Sequence, residues 1–137
     1  MFRAPIWLYR AHLGGLLGGR FILLHHIGRT SGQPREAVVE VVAQQGECFV
    51  ICSGFGTQSQ WYRNVVAQPD IDITSRNRRI SVHARVLSTE QAEEQMADYT
   101  RRHPRAAKRL ADYMGFSGPD ASAEVARELP FLELCPR

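Results

Sequence analysis

The chain reads as an α+β protein, mainly β, with about six short, mostly antiparallel strands forming a small closed or partly closed barrel. A helix is expected before the strands and further helices towards the C-terminus. Three observations predict this. Runs of strand length and composition recur at 20–27, 36–43, 47–53, 70–74, 80–86 and 129–135. Short Gly-containing or polar links join several of them, as in hairpins. Strict βαβ alternation is absent, which argues against a doubly wound sheet.

Taken in order, residues 5–17 suggest a short amphipathic helix that suits a lid over a site or a membrane-surface contact. Arg10 and Arg20 interrupt the apolar residues there, so no run reaches membrane-spanning length. A turn-rich loop covers 28–35. Gln44-Gln45-Gly46 then joins two strands as a hairpin. Gly54-Phe55-Gly56 ends the second strand, and Thr57-x-x-Gln60 resembles a capping box for a helix over about 58–67 that stops at Pro69. Ile71 and Ile73 alternate with Asp70 and Asp72, as in a half-buried strand. Beyond a polar turn at 75–79, Ile80, Val82, Ala84 and Val86 share one face, with Ser81, His83 and Arg85 on the other. Ser88-x-x-Gln91 caps a helix with Ala92, Met96 and Tyr99 on one stripe. Pro104 opens another that carries Ala107, Leu110 and Met114 and stops at Gly115. A short helix over 121–128 precedes the last strand. No repeat or linker divides the 137 residues, so a single domain spanning 1–137 is expected.

Composition narrows the ligand. The net charge is +3, but residues 1–85 carry 10 Arg against 5 acids, whereas 86–137 carry 7 basic residues against 9 acids. An anionic ligand is therefore drawn to the first part of the chain. A nucleic-acid partner calls for denser basic residues interleaved with aromatics, so none is expected. The three cysteines follow no C-x-x-C pattern and leave an odd one out. That argues against a disulfide framework and for a reducing, cytoplasmic setting. Cys48 and Cys52, at even spacing in one strand, share a face as buried thiols. No metal is expected, since the five His form no i, i+4 pair and no Cys/His/Asp set has zinc spacing.

The chemistry-bearing segments are three. In Gly28-Arg29-Thr30-Ser31-Gly32-Gln33-Pro34-Arg35, two glycines let successive N–H groups line one concavity. Thr30 and Ser31 add hydroxyls, and Arg29 and Arg35 add bidentate donors, a set suited to an anion. An ordinary turn with two solvated arginines is the competing reading. Small residues in Ser53-Gly54-Phe55-Gly56 admit a flat ring close to the backbone, or simply form a helix-entry turn. In Trp61-Tyr62-Arg63-Asn64, Trp61 and Val65 face the core, while Tyr62 and Asn64 present polar tips to a ligand edge or to solvent. His25 and His26, adjacent in a strand, face opposite sides and make no joint site.

These segments, with Ala67-x-Pro69 and Ala84-Arg85, stand in the order found in the deazaflavin-dependent nitroreductase family, which the chain resembles over about residues 7–115. That family belongs to the split β-barrel flavin and deazaflavin oxidoreductases. The resemblance implies a split barrel and coenzyme F-420, an 8-hydroxy-5-deazaflavin with a phospholactyl and polyglutamate tail. It places the tail on Arg29, Thr30, Ser31, Gly32 and Arg35, and the ring along Ser53, Gly54, Phe55 and Gly56, flanked by Trp61, Tyr62 and Asn64. Some members carry Lys where this chain has Thr30 and Gly54, which leaves Arg29 and Arg35 most of the tail's charge. The implied activity is hydride transfer from the reduced coenzyme to an electron-poor small molecule such as an enone, quinone or nitro compound, with the fold supplying alignment. Tyr62, His83 and solvent are the candidate proton donors. Two alternatives share the fold: an FMN-dependent reductase, and a non-catalytic carrier of a tetrapyrrole or fatty acid. Homodimerisation is compatible with such a barrel.

Overall fold

The computed structural model describes residues 21–54, 56–113 and 115–137. The helix expected over 5–17, and with it the lid or membrane role, lies outside the described residues, as do Phe55 and Met114. Among the described residues no helix is long and apolar enough to cross a membrane.

The strands are β1 (Phe21–Ile27), β2 (Pro34–Gln45), β3 (Cys48–Cys52), β4 (Asp70–Ser75), β5 (Arg78–Val86) and β6 (Phe131–Pro136). They close into a barrel in the order β1-β2-β3-β6-β5-β4, with every neighbouring pair antiparallel. The expected α+β barrel is thus the observed architecture. The last strand completes it by inserting between β3 and β5.

Period-2 alternation decides which side chains fill the barrel. Ile22 and Leu24, Phe49 and Ile51, Ile71 and Ile73, Val82 and Ala84, and Leu132 and Leu134 form one continuous buried cluster. A register shift between Val41 and Ala43 bulges β2. Val41 therefore joins the interior, while Val42 and Ala43 join a second cluster beneath the C-terminal helices. Those helices are α2 (Thr89–Arg102), α3 (Pro104–Tyr113) and α4 (Ala121–Glu128). Met96 and Tyr99 of α2, Leu110 of α3 and Val125 of α4 cover Val50, Cys52 and Phe131 of the wall. The Ser88–Gln91 capping box forms in both directions, and the Tyr99 hydroxyl donates to Glu40 Oε2 at 2.9 Å, tying α2 to β2.

Four local expectations need correction. Pro34 and Arg35 belong to β2, opposite Ile27 and His26, so the loop is two residues shorter than its turn-like composition suggests. The polar turn at 75–79 contracts to Arg76-Asn77, both at positive φ (50° and 67°), in a two-residue hairpin link. The Thr57 capping box does not form. A 3₁₀ turn over Gly56–Gln58 takes up Thr57, and the helix α1 (Gln60–Ala67) starts behind Ser59, which makes no side-chain cap bond. Finally, Cys48 and Cys135 form a disulfide, leaving Cys52 as a buried free thiol. The cause is non-local. Phe49 pairs with Leu134, so one step further along the ladder Cys48 stands opposite Cys135.

Candidate functional site

Antiparallel order brings the end of β1, the start of β2, the end of β3 and the start of β4 to one mouth of the barrel. Helix α1 connects β3 to β4 across this mouth and seals it with Val65, which is fully buried. The three chemistry-bearing segments predicted from sequence are the connections at this mouth.

The loop after β1 is a compact turn. Gly32 N–H donates to Gly28 O at 2.8 Å and Gly28 N–H to Gln33 O at 2.9 Å, while Gln33 N–H reaches Ser31 Oγ at 3.2 Å. A Cβ on Gly28 would lie 2.5 Å from Ser31 Oγ, so a side chain there would turn that hydroxyl out of its present place, and Gly32 sits at a φ of +70°, which favours glycine. Fewer N–H groups face outward than the sequence suggested. Gly28, Arg29, Gly32 and Gln33 all commit theirs, and Thr30 and Ser31 are the two loop residues whose N–H groups have no partner among the described residues. Two adjacent N–H groups, two exposed hydroxyls and the exposed Arg29 and Arg35 still make a donor set with the chemistry of an anion site.

Asn64, expected from sequence to present a polar tip to a ligand edge or to solvent, makes its contacts within the protein. It is buried and presents no polar tip to solvent. Its Oδ1 accepts from Arg29 Nη1 at 2.7 Å and from Arg29 N–H at 3.1 Å, and its Nδ2 donates to His26 Nδ1 at 3.2 Å. Both ends of the amide are therefore fixed, and Arg29 is held to α1. His26 was missed because adjacent histidines in a strand suggest no joint site. The usable signal was parity, since His26 continues the inward face of Ile22 and Leu24 to the mouth.

Burial, with Arg35 and His25 nearby, pushes the His26 pKa down to about 4. The imidazole is then neutral in the folded chain, as accepting from Asn64 Nδ2 requires. Between pH 4 and 6.5 the unfolded chain binds a proton that the folded chain refuses, so stability falls as pH drops through that window. His26 alone is expected to cost about 2 kcal/mol at pH 5 relative to pH 7.5. Urea unfolding at both pH values checks this, and in His26→Gln the difference should shrink by more than half.

At the end of β3, Ser53 is fully buried. Its Oγ donates to Gly56 O at 2.8 Å, and Gly56 N–H returns to Ser53 O at 3.0 Å. This closes a tight turn around Gly54, with Gly56 at a φ of +69°. On α1, Trp61 and Tyr62 are half-buried and meet edge to face, with ring centroids 6.3 Å apart. His83 lies elsewhere. It alternates outward between buried Val82 and Ala84, and its Nδ1 lies 2.7 Å from Asp70 Oδ1.

An open groove of about 920 Å³ runs beside the loop, with Ile27, Pro34, Arg35, Gln68 and Asp70 in its walls. Farther along, Arg79 and Arg137 both contact Asp72 (2.9 and 3.4 Å). Hydrogen bonds from Arg79 and Ser81 hold the Asp72 carboxyl below the usual range. Arg35 makes no ion pair among the described residues and is the basic group of this groove left for an incoming anion.

A family model described as F-420H(2)-dependent quinone reductase matches residues 1–114. A solved structure of the F-420-H2-dependent reductase FDR-A is 20% identical, with 84% of this chain and 93% of that chain covered and a TM-score of 0.59. Another, described as a domain-swapped dimer, is 18% identical over 96% of this chain and 99% of that chain, with a TM-score of 0.58. The haem storage protein HutZ from Vibrio cholerae is 10% identical over 99% and 92%, with a TM-score of 0.61. At these identities the solved structures share the fold.

Proposed function

This chain belongs to the F-420H(2)-dependent quinone reductase family and is an F-420-dependent reductase, and from that premise we propose that the α1-sealed mouth of the barrel binds coenzyme F-420. The observation that carries the reading is the Arg29–Asn64 contact, which fastens the anion-binding loop to the helix that bears Trp61 and Tyr62. Arg29, Thr30, Ser31, Gly32 and Arg35 bind the phosphate and the acidic tail, for which the groove beside Arg35 gives room. Asn64 acts through Arg29 as a positioning residue. Gly54 and Gly56 form the edge against which the flat ring rests, and the buried Ser53 acts as a positioning residue that holds their turn through its hydrogen bond to Gly56 O. Trp61 and Tyr62 wall the same space and keep water from it.

When bound, the reduced deazaflavin supplies a hydride to an electron-poor quinone, enone or nitro compound. The chain's own part is alignment and the following proton. The Tyr62 hydroxyl is the donor we favour, because the tyrosine stands at the mouth, whereas the His83 imidazole is engaged by Asp70 on the outer wall. We further propose a homodimer, a state compatible with a small closed barrel of this kind.

Fluorescence titration of coenzyme F-420 into the purified chain tests the reading. Saturable binding at low micromolar concentration is expected, followed by oxidation of the reduced coenzyme on adding a benzoquinone. No binding at tens of micromolar contradicts it.

A further inference from the structure

The outer wall of the barrel holds a second constellation, separate from the mouth. Strand pairing places Cys48 of β3 opposite Cys135 of β6, and Cys135 opposite His83 of β5. Directly paired residues on neighbouring strands point to the same face, with Cβ atoms about 4.5–5.5 Å apart. Glu133, two residues before Cys135, shares that face. Its carboxylate and the two sulfur atoms all lie within 4.8 Å of one another, and all three residues are half-buried. His83 contacts the Asp70 carboxylate of β4 through Nδ1 at 2.7 Å, which leaves its Nε2 as the ligand atom, and a turn of the side chain towards β6 would bring that atom to the sulfurs.

We propose that, once the Cys48–Cys135 disulfide is reduced, Cys48, Cys135 and Glu133 bind a zinc ion, with His83 as the fourth ligand. Two thiolates, a carboxylate and an imidazole are a tetrahedral donor set of the type zinc takes. A dithiol reductant supplies two electrons and two protons. The protein S–S bond breaks, the reductant closes its own disulfide, and both cysteines become thiols. Zinc then displaces the two thiol protons as two Zn–S bonds form, and Glu133 exchanges its 2.8 Å contact with Arg85 for the metal. The same pair of sulfurs thus links β3 to β6 in either state, by a covalent bond when oxidised and through the metal when reduced.

The test compares two states of the full chain without mutation. Protein reduced with dithiothreitol and desalted without oxygen, and its oxidised counterpart, are titrated with zinc sulfate against a chromophoric chelator. One zinc per chain is expected in the reduced form and none in the oxidised form, with Cys48 and Cys135 shielded from alkylation in mass spectrometry when zinc is present. Cobalt(II) in place of zinc should give a thiolate charge-transfer band that Cys135→Ser abolishes. Glu133→Gln, which keeps both sulfurs and the fold, should weaken zinc about tenfold or more. Equal zinc binding by the oxidised chain, no binding by the reduced chain at tens of micromolar, or full affinity in Glu133→Gln each overturns the proposal.

Discussion

Replacing Arg29 and Arg35 together with alanine is expected to weaken coenzyme F-420 binding by at least about 100-fold. Each guanidinium offers charge-assisted hydrogen bonds worth roughly 1.5–3 kcal/mol to an anion, and the low end for two already exceeds that factor. The two reach the ligand from different supports. Arg29 is held by the buried Asn64 amide, whereas Arg35 projects from the first residues of β2 beside the groove. Arg35 is exposed and makes no ion pair among the described residues, so its truncation should hardly move the thermal midpoint. Loss of the Arg29 guanidinium, in contrast, takes a 2.7 Å hydrogen bond from the buried Asn64 Oδ1 and should lower the midpoint by a few degrees, a change that Arg29→Ala alone reproduces. Fluorescence titration at fixed low salt measures the change. An affinity within about threefold of wild type would remove the loop from the account.

Asn64→Leu is expected to cost about 3–5 kcal/mol of stability and to weaken coenzyme binding with it. Leucine nearly preserves the volume but removes both ends of the amide. Arg29 loses an acceptor shared by its backbone and guanidinium, and His26 Nδ1 is left buried without a donor. A buried group left unsatisfied costs about 1–3 kcal/mol, and the lost hydrogen bonds to a charged group add a similar amount. Asn64→Asp separates the two halves of the contact. It keeps the acceptor for Arg29 but turns a carboxylate oxygen towards His26 Nδ1, so that nitrogen must carry the ring's proton, and the adjacent negative charge favours the imidazolium. The His26 pKa should then rise from about 4, and NMR titration of its ring protons reads that directly.

The fold was legible where structure is local and periodic. Alternation in β4 and β5 marks the inward face of the barrel, and Ser88, Pro104 and Gly115 punctuate the C-terminal helices because each acts within a turn of its own position. The residues that escaped do so through long-range pairing. Pro34 and Arg35 have turn composition but are drawn into β2 by Ile27 and His26. Cys48 and Cys135 are 87 residues apart and meet only because β6 inserts beside β3. For the same reason the proximity of His83 to Cys135, 52 residues on, is visible only once β5 pairs with β6.

The candidate site divides in the same way. The glycines and hydroxyls of 28–32 were readable, because turn geometry depends on the residue itself. How many N–H groups the turn retains was not, since it depends on bonds formed within the turn and on Asn64. That asparagine looked like a ligand contact because an amide at helical spacing can point either way. Its burial beside His26 follows only once α1 lies across the mouth, a placement set by the connection from β3 to β4.

A crystal structure of the chain with coenzyme F-420 tests the central claim most directly. The account predicts a coenzyme phosphate within hydrogen-bonding distance of the Thr30 and Ser31 N–H groups and of Arg29, with the Arg29–Asn64–His26 contacts retained and the ring lying along Ser53–Gly56. A coenzyme bound outside the mouth, or a phosphate that touches neither Arg29 nor the 30–31 turn, would contradict it.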